Sequence, residues 1–304
     1  MQQRTFGRTG WTVSEIGYGM WGMGGWTGSN DEESVAALGR AIVLGCTFFD
    51  TAWAYGRGKS EQLLAEARRR YPHAPIRIAT KIPPKNMRWP AAASDPASDT
   101  YPADHIREYT ETSLRNLDAD AIDLQQFHVW SDAWADDPDW QRGVRALKDE
   151  GLVKAFGISV NRWQPTNVMR ALETGLIDSV QVVYNIFDQS AENQLFPYCQ
   201  ANNIAIIARV PFDEGSLTST LTPDSTWPEG DWRNSWSSAD WSKMLYTTCT
   251  LSMRPVSRAR STLVGCQRFT LIPNALTSPS SFNARTPRCH SGSSAHASLQ
   301  TWNC

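Results

Sequence analysis

No run of about eighteen apolar residues, the length a membrane-spanning helix needs, occurs in this 304-residue chain, and the polar start MQQRTFGRTG has no signal-peptide core. The expectation is a soluble, cytoplasmic protein with no membrane partner. An excess of either charge is also lacking. The 29 Lys and Arg stand against 31 Asp and Glu, so nothing points to nucleic acid as a partner. The six cysteines form no CxxC, and the five histidines (His73, His105, His128, His290, His296) include no HxH or HExxH. A metal centre is therefore not expected. Cys46 and Cys199 sit in apolar segments and read as buried thiols.

What the chain does have is alternation. Seven short apolar runs, Ser14–Met20, Thr47–Ala52, Ile76–Ile82, Ala121–Val129, Val153–Val160, Ser179–Asn185 and Ile204–Val210, have the length and composition of buried strands. Amphipathic stretches separate them, for example Val35, Leu38 and Ile42, then Ile106, Tyr109, Ser113 and Leu117, spaced for one helix face. Asp31 with Glu33 and Asp137 with Asp139 mark helix starts, and Gly45, Gly151 and Gly175 mark helix stops. Strand–helix repetition of this kind requires parallel pairing through right-handed crossovers. Seven strands exceed the five or six of an ordinary open sheet and fall one short of a (β/α)8 barrel, so a barrel with its eighth unit missing or replaced is the expected fold. The interval 83–102, rich in Pro, Ala, Ser and Asp, reads as a loop leaving the third strand on the face where such barrels build their sites.

The expected domain is residues 1–236. Residues 237–304 differ in kind, with one acid (Asp240), seven Lys or Arg, thirteen Ser, eight Thr and four Cys. That composition fits a disordered tail or a segment read out of its ancestral frame. The short apolar runs Ser261–Gly265 and Phe269–Ile272 could lend one strand and close the barrel in part.

If the runs are strands, their C-terminal ends converge on one mouth. They carry Asp50 and Tyr55 in CTFFDTAWAYG, Lys81 in IRIATKI and His128 in LQQFHVW. Alone, each has a structural explanation: a turn cap, a groove filler, an ion-pair partner, a core histidine. Together they make a chemical set. An ammonium beside a phenol favours phenolate, a carboxylate balances a buried lysine, and an imidazole can orient a substrate oxygen. Such a set suits proton transfer to a carbonyl oxygen while hydride reaches its carbon. A Rossmann alternative rests on Gly17, Gly19 and Gly22, which satisfy G-x-G-x-x-G. That fingerprint needs a helix opening inside the motif, and the helical pattern begins only near Asp31.

With these residues in hand, the chain resembles the aldo-keto reductases. The segments RTFGRTGWTVSEIGYGMWGMGG, FFDTAWAYGRGKSEQLLAEA, DLQQFHVW, GLVKAFGISV and VQVVYNIF carry the likeness over roughly residues 4–236. The resemblance implies a TIM barrel and NAD(P)H-dependent reduction of a small-molecule carbonyl, or oxidation of the alcohol. It implies Asp50, Tyr55, Lys81 and His128 as the catalytic tetrad, with Tyr55 the proton donor. It further implies Ser159, Asn161 and Gln181 against the nicotinamide carboxamide, Arg209 where an aromatic ring often stands, and Gly215, Ser216 and Leu217 around the pyrophosphate. NADP (NADPH) is favoured over NAD. The family's 2′-phosphate segment, which follows strand eight, has no match here, so selectivity for the phosphorylated cofactor is expected to be weak. Two other readings share the fold: a cofactor-binding regulatory barrel, as in channel subunits, and an incomplete, inactive chain. Of the fourteen tryptophans, Trp21, Trp26, Trp53, Trp89 and Trp130 fall in expected mouth loops and suggest an aromatic cleft.

Overall fold

The computed structural model describes residues 1–25, 29–218, 225–231, 234 and 267–271. An antiparallel hairpin, β1 (Gln3–Phe6) and β2 (Trp11–Ser14), precedes the barrel. Seven strands then pair in parallel and in chain order: β3 (Ile16–Gly19), β4 (Phe48–Asp50), β5 (Arg77–Ile82), β6 (Ile122–Phe127), β7 (Val153–Ser159), β8 (Ser179–Val183) and β9 (Ala205–Arg209). Around them lie α1 (Asp31–Val43), α2 (Lys59–Arg70), α3 (Ala103–Leu117), α4 (Pro138–Asp149), α5 (Met169–Glu173) and α6 (Leu195–Ala201). Each of the seven expected strands is present. Gly17 and Gly19 lie within β3, and Trp21–Met23 form a short 3-10 turn, so the glycine motif opens no helix.

The eighth position is filled in an unexpected direction. β10 (Gln267–Leu271) overlaps the run Phe269–Ile272 and hydrogen-bonds antiparallel to both β3 and β9, which closes the cylinder. The eighth strand position is thus occupied rather than empty. Gln267 pairs with Gly19 at the mouth end of β3, and Thr270 pairs with Ile16 toward the bottom. A parallel eighth strand would deliver its following loop to the mouth; β10 runs away from it. The other residues of 237–304 lie outside the described residues.

Strand alternation sorts the side chains into two cores. Inside the barrel, Phe48, Ala79, Leu124, Ala155, Ala205 and Ile207 pack with Phe6 and Val13 of the hairpin, whose Phe6 ring stacks 5.2 Å from Phe48. The hairpin therefore plugs the bottom. Outward residues such as Phe49, Ile78, Phe127, Phe156 and Val180 pack under the helices. Helix ends follow the sequence signals with one refinement: Asn30, not Asp31, caps α1 by accepting from Glu33 N at 3.0 Å, while Asp137 caps α4. Cys46 and Cys199 are buried thiols.

Candidate active site

The turn after β4 is built by close backbone contact. Gly24 and Gly56 lie so near each other that a Cβ on Gly24 would sit 2.5 Å from the Tyr55 carbonyl carbon and 2.7 Å from Gly56 N. No side chain fits either place. Tyr55 N donates to Ala52 O at 3.0 Å, Ser60 N donates to Tyr55 O at 3.2 Å, and Thr51 Oγ1 donates to Ser60 Oγ at 2.8 Å. The D-x4-Y spacing thus ends in a turn held at both ends, with the phenol aimed across the mouth.

Beneath it, Asp50 and Lys81 are almost fully buried, at 0% and 1% exposure. Lys81 Nζ donates to Asp50 Oδ2 at 2.5 Å and to Thr51 O at 2.8 Å. Its ammonium lies 5.2 Å from the Tyr55 ring centroid. His128 meets Tyr55 edge-on at 5.6 Å between ring centroids. All four predicted tetrad residues are therefore brought together.

The protonation of this set departs from the sequence expectation. Lys81 does draw the Tyr55 pKa down, and Arg209 helps, but burial acts more strongly in the other direction and Asp50 adds to it. The net shift is upward, so Tyr55 keeps its proton at neutral pH instead of leaning toward phenolate. Tyr55 opens partly onto the mouth, yet the packed protein around the ring still makes ionisation unfavourable. His128 is held well below the usual imidazole range by burial first, then by the cations of Lys81 and Arg209. It is neutral, and its buried Nδ1 has no hydrogen-bond partner among the described residues.

The residues expected around a nicotinamide are mixed in behaviour. Ser159 and Gln181 are paired across β7 and β8 and are buried. Asn161 Nδ2 donates to Ala91 O at 3.0 Å and Gln164 Oε1 at 3.2 Å, while its buried Oδ1 has no partner among the described residues. A carboxamide N–H fits that acceptor. Gln181 already donates Nε2 to Asp50 Oδ1 at 3.0 Å, which joins the expected cofactor residue to the tetrad. Arg209 donates to Val160 O at 3.2 Å and acts electrostatically on both Tyr55 and His128. Gly215 adopts φ +102°, and the N–H groups of Gly215 and Leu217 both turn onto Phe212 O, at 3.0 and 3.2 Å. A pyrophosphate drawing on those groups would have to exchange these bonds. Ser216 lies in the same 3-10 segment, Asp213–Thr218.

Two contributors escaped sequence reading. Gln126 donates Nε2 to Asp50 Oδ1 at 3.2 Å; its place two residues before His128 on β6 was the available signal. Gly157 leaves the space beside it, since a Cβ there would collide with Ser179 Oγ and press Gln126 Cγ at 3.1 Å. Trp89, one of the tryptophans expected at the mouth, stands edge-on to His128 at 4.5 Å. The tryptophan expectation is corrected in part: Trp130 is fully buried among Phe127, Trp134 and Trp140, and Trp53 packs on Tyr109 of α3. Trp26 lies outside the described residues. Among the described residues, no cluster of metal-binding side chains occurs and no helix is long and apolar enough to cross a membrane.

Comparison with known proteins bears on the family and the fold. The model of the Aldo/keto reductase family matches residues 15–260. The chain belongs to that family. It is similar to Aldo-keto reductase YhdN of Bacillus subtilis, 30% identical over 239 residues, spanning 77% of this chain and 69% of the relative. The NADH-specific methylglyoxal reductase of Escherichia coli is 28% identical over 242 residues, spanning 74% and 71%. Among solved structures, aldo-keto reductase AKR11C1 from Bacillus halodurans (holo form) superposes with TM-score 0.63 at 25% identity, covering 85% of this chain and 78% of that one. An aldo-keto reductase from Klebsiella pneumoniae in complex with NADPH superposes with TM-score 0.58 at 26% identity, covering 74% of each. As a member of this family, the chain is an NAD(P)H-dependent oxidoreductase acting on small-molecule carbonyl compounds.

Proposed function

We propose that this aldo-keto reductase reduces an aldehyde or ketone with Tyr55 as the proton donor. The observation that carries the reading is the buried Asp50–Lys81 pair set directly against the Tyr55 phenol, which holds a protonated acid beside its own cation. A reduced nicotinamide, when bound, supplies the hydride to the carbonyl carbon. Neutral His128 can offer one N–H to the substrate oxygen, orienting it at Tyr55. Tyr55 then gives its proton to that oxygen as negative charge develops there. The resulting phenolate is stabilised by Lys81, whose charge is balanced by Asp50, until solvent returns a proton.

Asn161 Oδ1, which has no partner among the described residues, supports seating of the carboxamide together with Ser159 and Gln181. Arg209 would flank the ring, and Gly215, Ser216 and Leu217 would take the pyrophosphate after their turn opens. We read NADP(H) as preferred over NAD(H), from likeness to structures solved with that cofactor. The preference should be small, because β10 points its C-terminal end away from the mouth where a following loop would meet a 2′-phosphate. One missing charge-assisted contact lowers affinity about ten- to a hundredfold. Tyr55→Phe should cut turnover of a reactive aldehyde about 10²–10⁴-fold with cofactor binding preserved. Near-native turnover would remove Tyr55 from the mechanism. Parallel titration of both cofactors against tryptophan fluorescence tests the preference, and tight, strongly selective NADPH binding would overturn the argument from β10.

A further inference from the structure

The Asp50 carboxylate divides its work between its two oxygens. Oδ2 faces Lys81 Nζ at 2.5 Å, while Oδ1 receives two amides, Gln181 Nε2 at 3.0 Å from β8 and Gln126 Nε2 at 3.2 Å from β6. Both glutamines are buried, at 1% and 0% exposure. A carboxylate held by donors on one oxygen cannot rotate away from a partner on the other. The two donors are not equivalent, however. Gln181 is the residue placed to meet a nicotinamide carboxamide, so its bond to Asp50 must be shared or adjusted when cofactor binds. Gln126 has no such second task.

Its surroundings show that the chain makes room for this one contact. Gln126 lies beside Lys81 in the β5–β6 register and beside Gly157 in the β6–β7 register. A Cβ at Gly157 would collide with Ser179 Oγ and also crowd Gln126 Cγ at 3.1 Å, so the glycine keeps the interior beside Gln126 open. The cost is visible on the other end of the amide, where the buried Oε1 has no partner among the described residues. Reversing the amide would set Oε1 against the Asp50 carboxylate, so the donor orientation is imposed by charge. A fully buried amide with one unsatisfied atom would be poorly suited to a purely packing role, which an apolar side chain of the same volume fills better.

We propose that Gln126 is a positioning residue of the reductase: it locks Asp50 so that Lys81 stays aimed at Tyr55 while Gln181 engages the nicotinamide. This rests on the reading of Tyr55 as proton donor. The charged or titratable groups around the contact are Asp50 on β4, Lys81 on β5, His128 after β6, Arg209 on β9 and Tyr55 in the mouth turn, with Glu61 of α2 behind Thr80. Gln126 touches neither cofactor nor substrate in this scheme. It acts through Asp50.

The test uses the full chain and three variants. Gln126→Met keeps the volume and removes the donor; it should lower kcat about ten- to a hundredfold, the worth of one hydrogen bond to a charged group, with cofactor Kd and substrate KM changed by less than about threefold. Gln126→Glu separates positioning from packing. When protonated, its carboxyl donates one O–H to Asp50 Oδ1 as the amide does; when ionised, it sets two carboxylates together. Its kcat relative to the native chain should therefore recover as pH falls, whereas that of Gln126→Met should not. Native kcat in Gln126→Met overturns the proposal, as does a parallel loss of kcat and cofactor affinity. A Gln126→Glu variant whose kcat stays equally impaired relative to the native chain at every pH overturns it as well, a result that stands even if Gln126→Met fails to fold. Tyr55→Phe, measured alongside, separates the two levels. If it stays active, the mechanism itself falls; if it is inactive while Gln126→Met is normal, only the role of Gln126 falls.

Discussion

Replacing His128 by Gln should flatten the acid limb of the stability curve by a calculable amount. His128 packs between Tyr55 and Trp89, and its pKa is held well below the ordinary imidazole value by burial, Lys81 and Arg209. A histidine with a lowered folded pKa favours the unfolded chain as it protonates. Its stabilising share is therefore present above the unfolded value of ~6.5 and is lost as pH falls toward the folded one. While the folded group stays neutral, one such proton removes at most about 1 kcal/mol between pH 6.5 and 5.5. His105, whose pKa is also lowered, chiefly by burial, remains in both proteins and cancels in the difference, as do the carboxylates. Gln does not titrate, and whatever packing it loses against Trp89 is independent of pH. The assay is urea unfolding of both proteins at several pH values, read as the native-minus-variant stability against pH. Parallel curves from pH 7 to 5 would refute the claim that His128 is held neutral by its packing and by two nearby cations.

Lys81→Met should depress kcat and move the alkaline limb of carbonyl reduction upward, because Tyr55 loses the cation that draws its pKa down. Stability should also fall by about 3–5 kcal/mol, the usual effect of stranding one member of a buried ion pair; an unchanged pH profile with an intact rate would sink the coupling. Gly24→Ala places a Cβ against the Tyr55 and Gly56 backbone, so it should destabilise the fold by about 1–3 kcal/mol and lower kcat by displacing the phenol. A stable Gly24→Ala variant with native kcat would show that this backbone contact does not position Tyr55.

Much of the barrel was legible because its rules are local. Short Val- and Ile-rich runs between amphipathic stretches can only pair in parallel through crossovers, and each such strand delivers its C-terminal residues to one rim. That is why Asp50, Tyr55, Lys81 and His128 could be grouped before any coordinates, and why Gly45, Gly151 and Gly175, all with positive φ, marked helix ends. Only the tertiary structure decided what depends on distant segments. Gln126 and Gln181 meet on one oxygen of Asp50 because β4, β6 and β8 face each other across a closed cylinder, and no spacing along the chain encodes that meeting. The upward shift of Tyr55 reflects the balance between desolvation by the whole mouth and attraction to Lys81, which a motif cannot weigh. Nor could the apolar run at Phe269–Ile272 reveal its direction. The alternation of a short strand reads the same both ways, and the unpaired edges of β3 and β9 accept an antiparallel partner as readily as a parallel one.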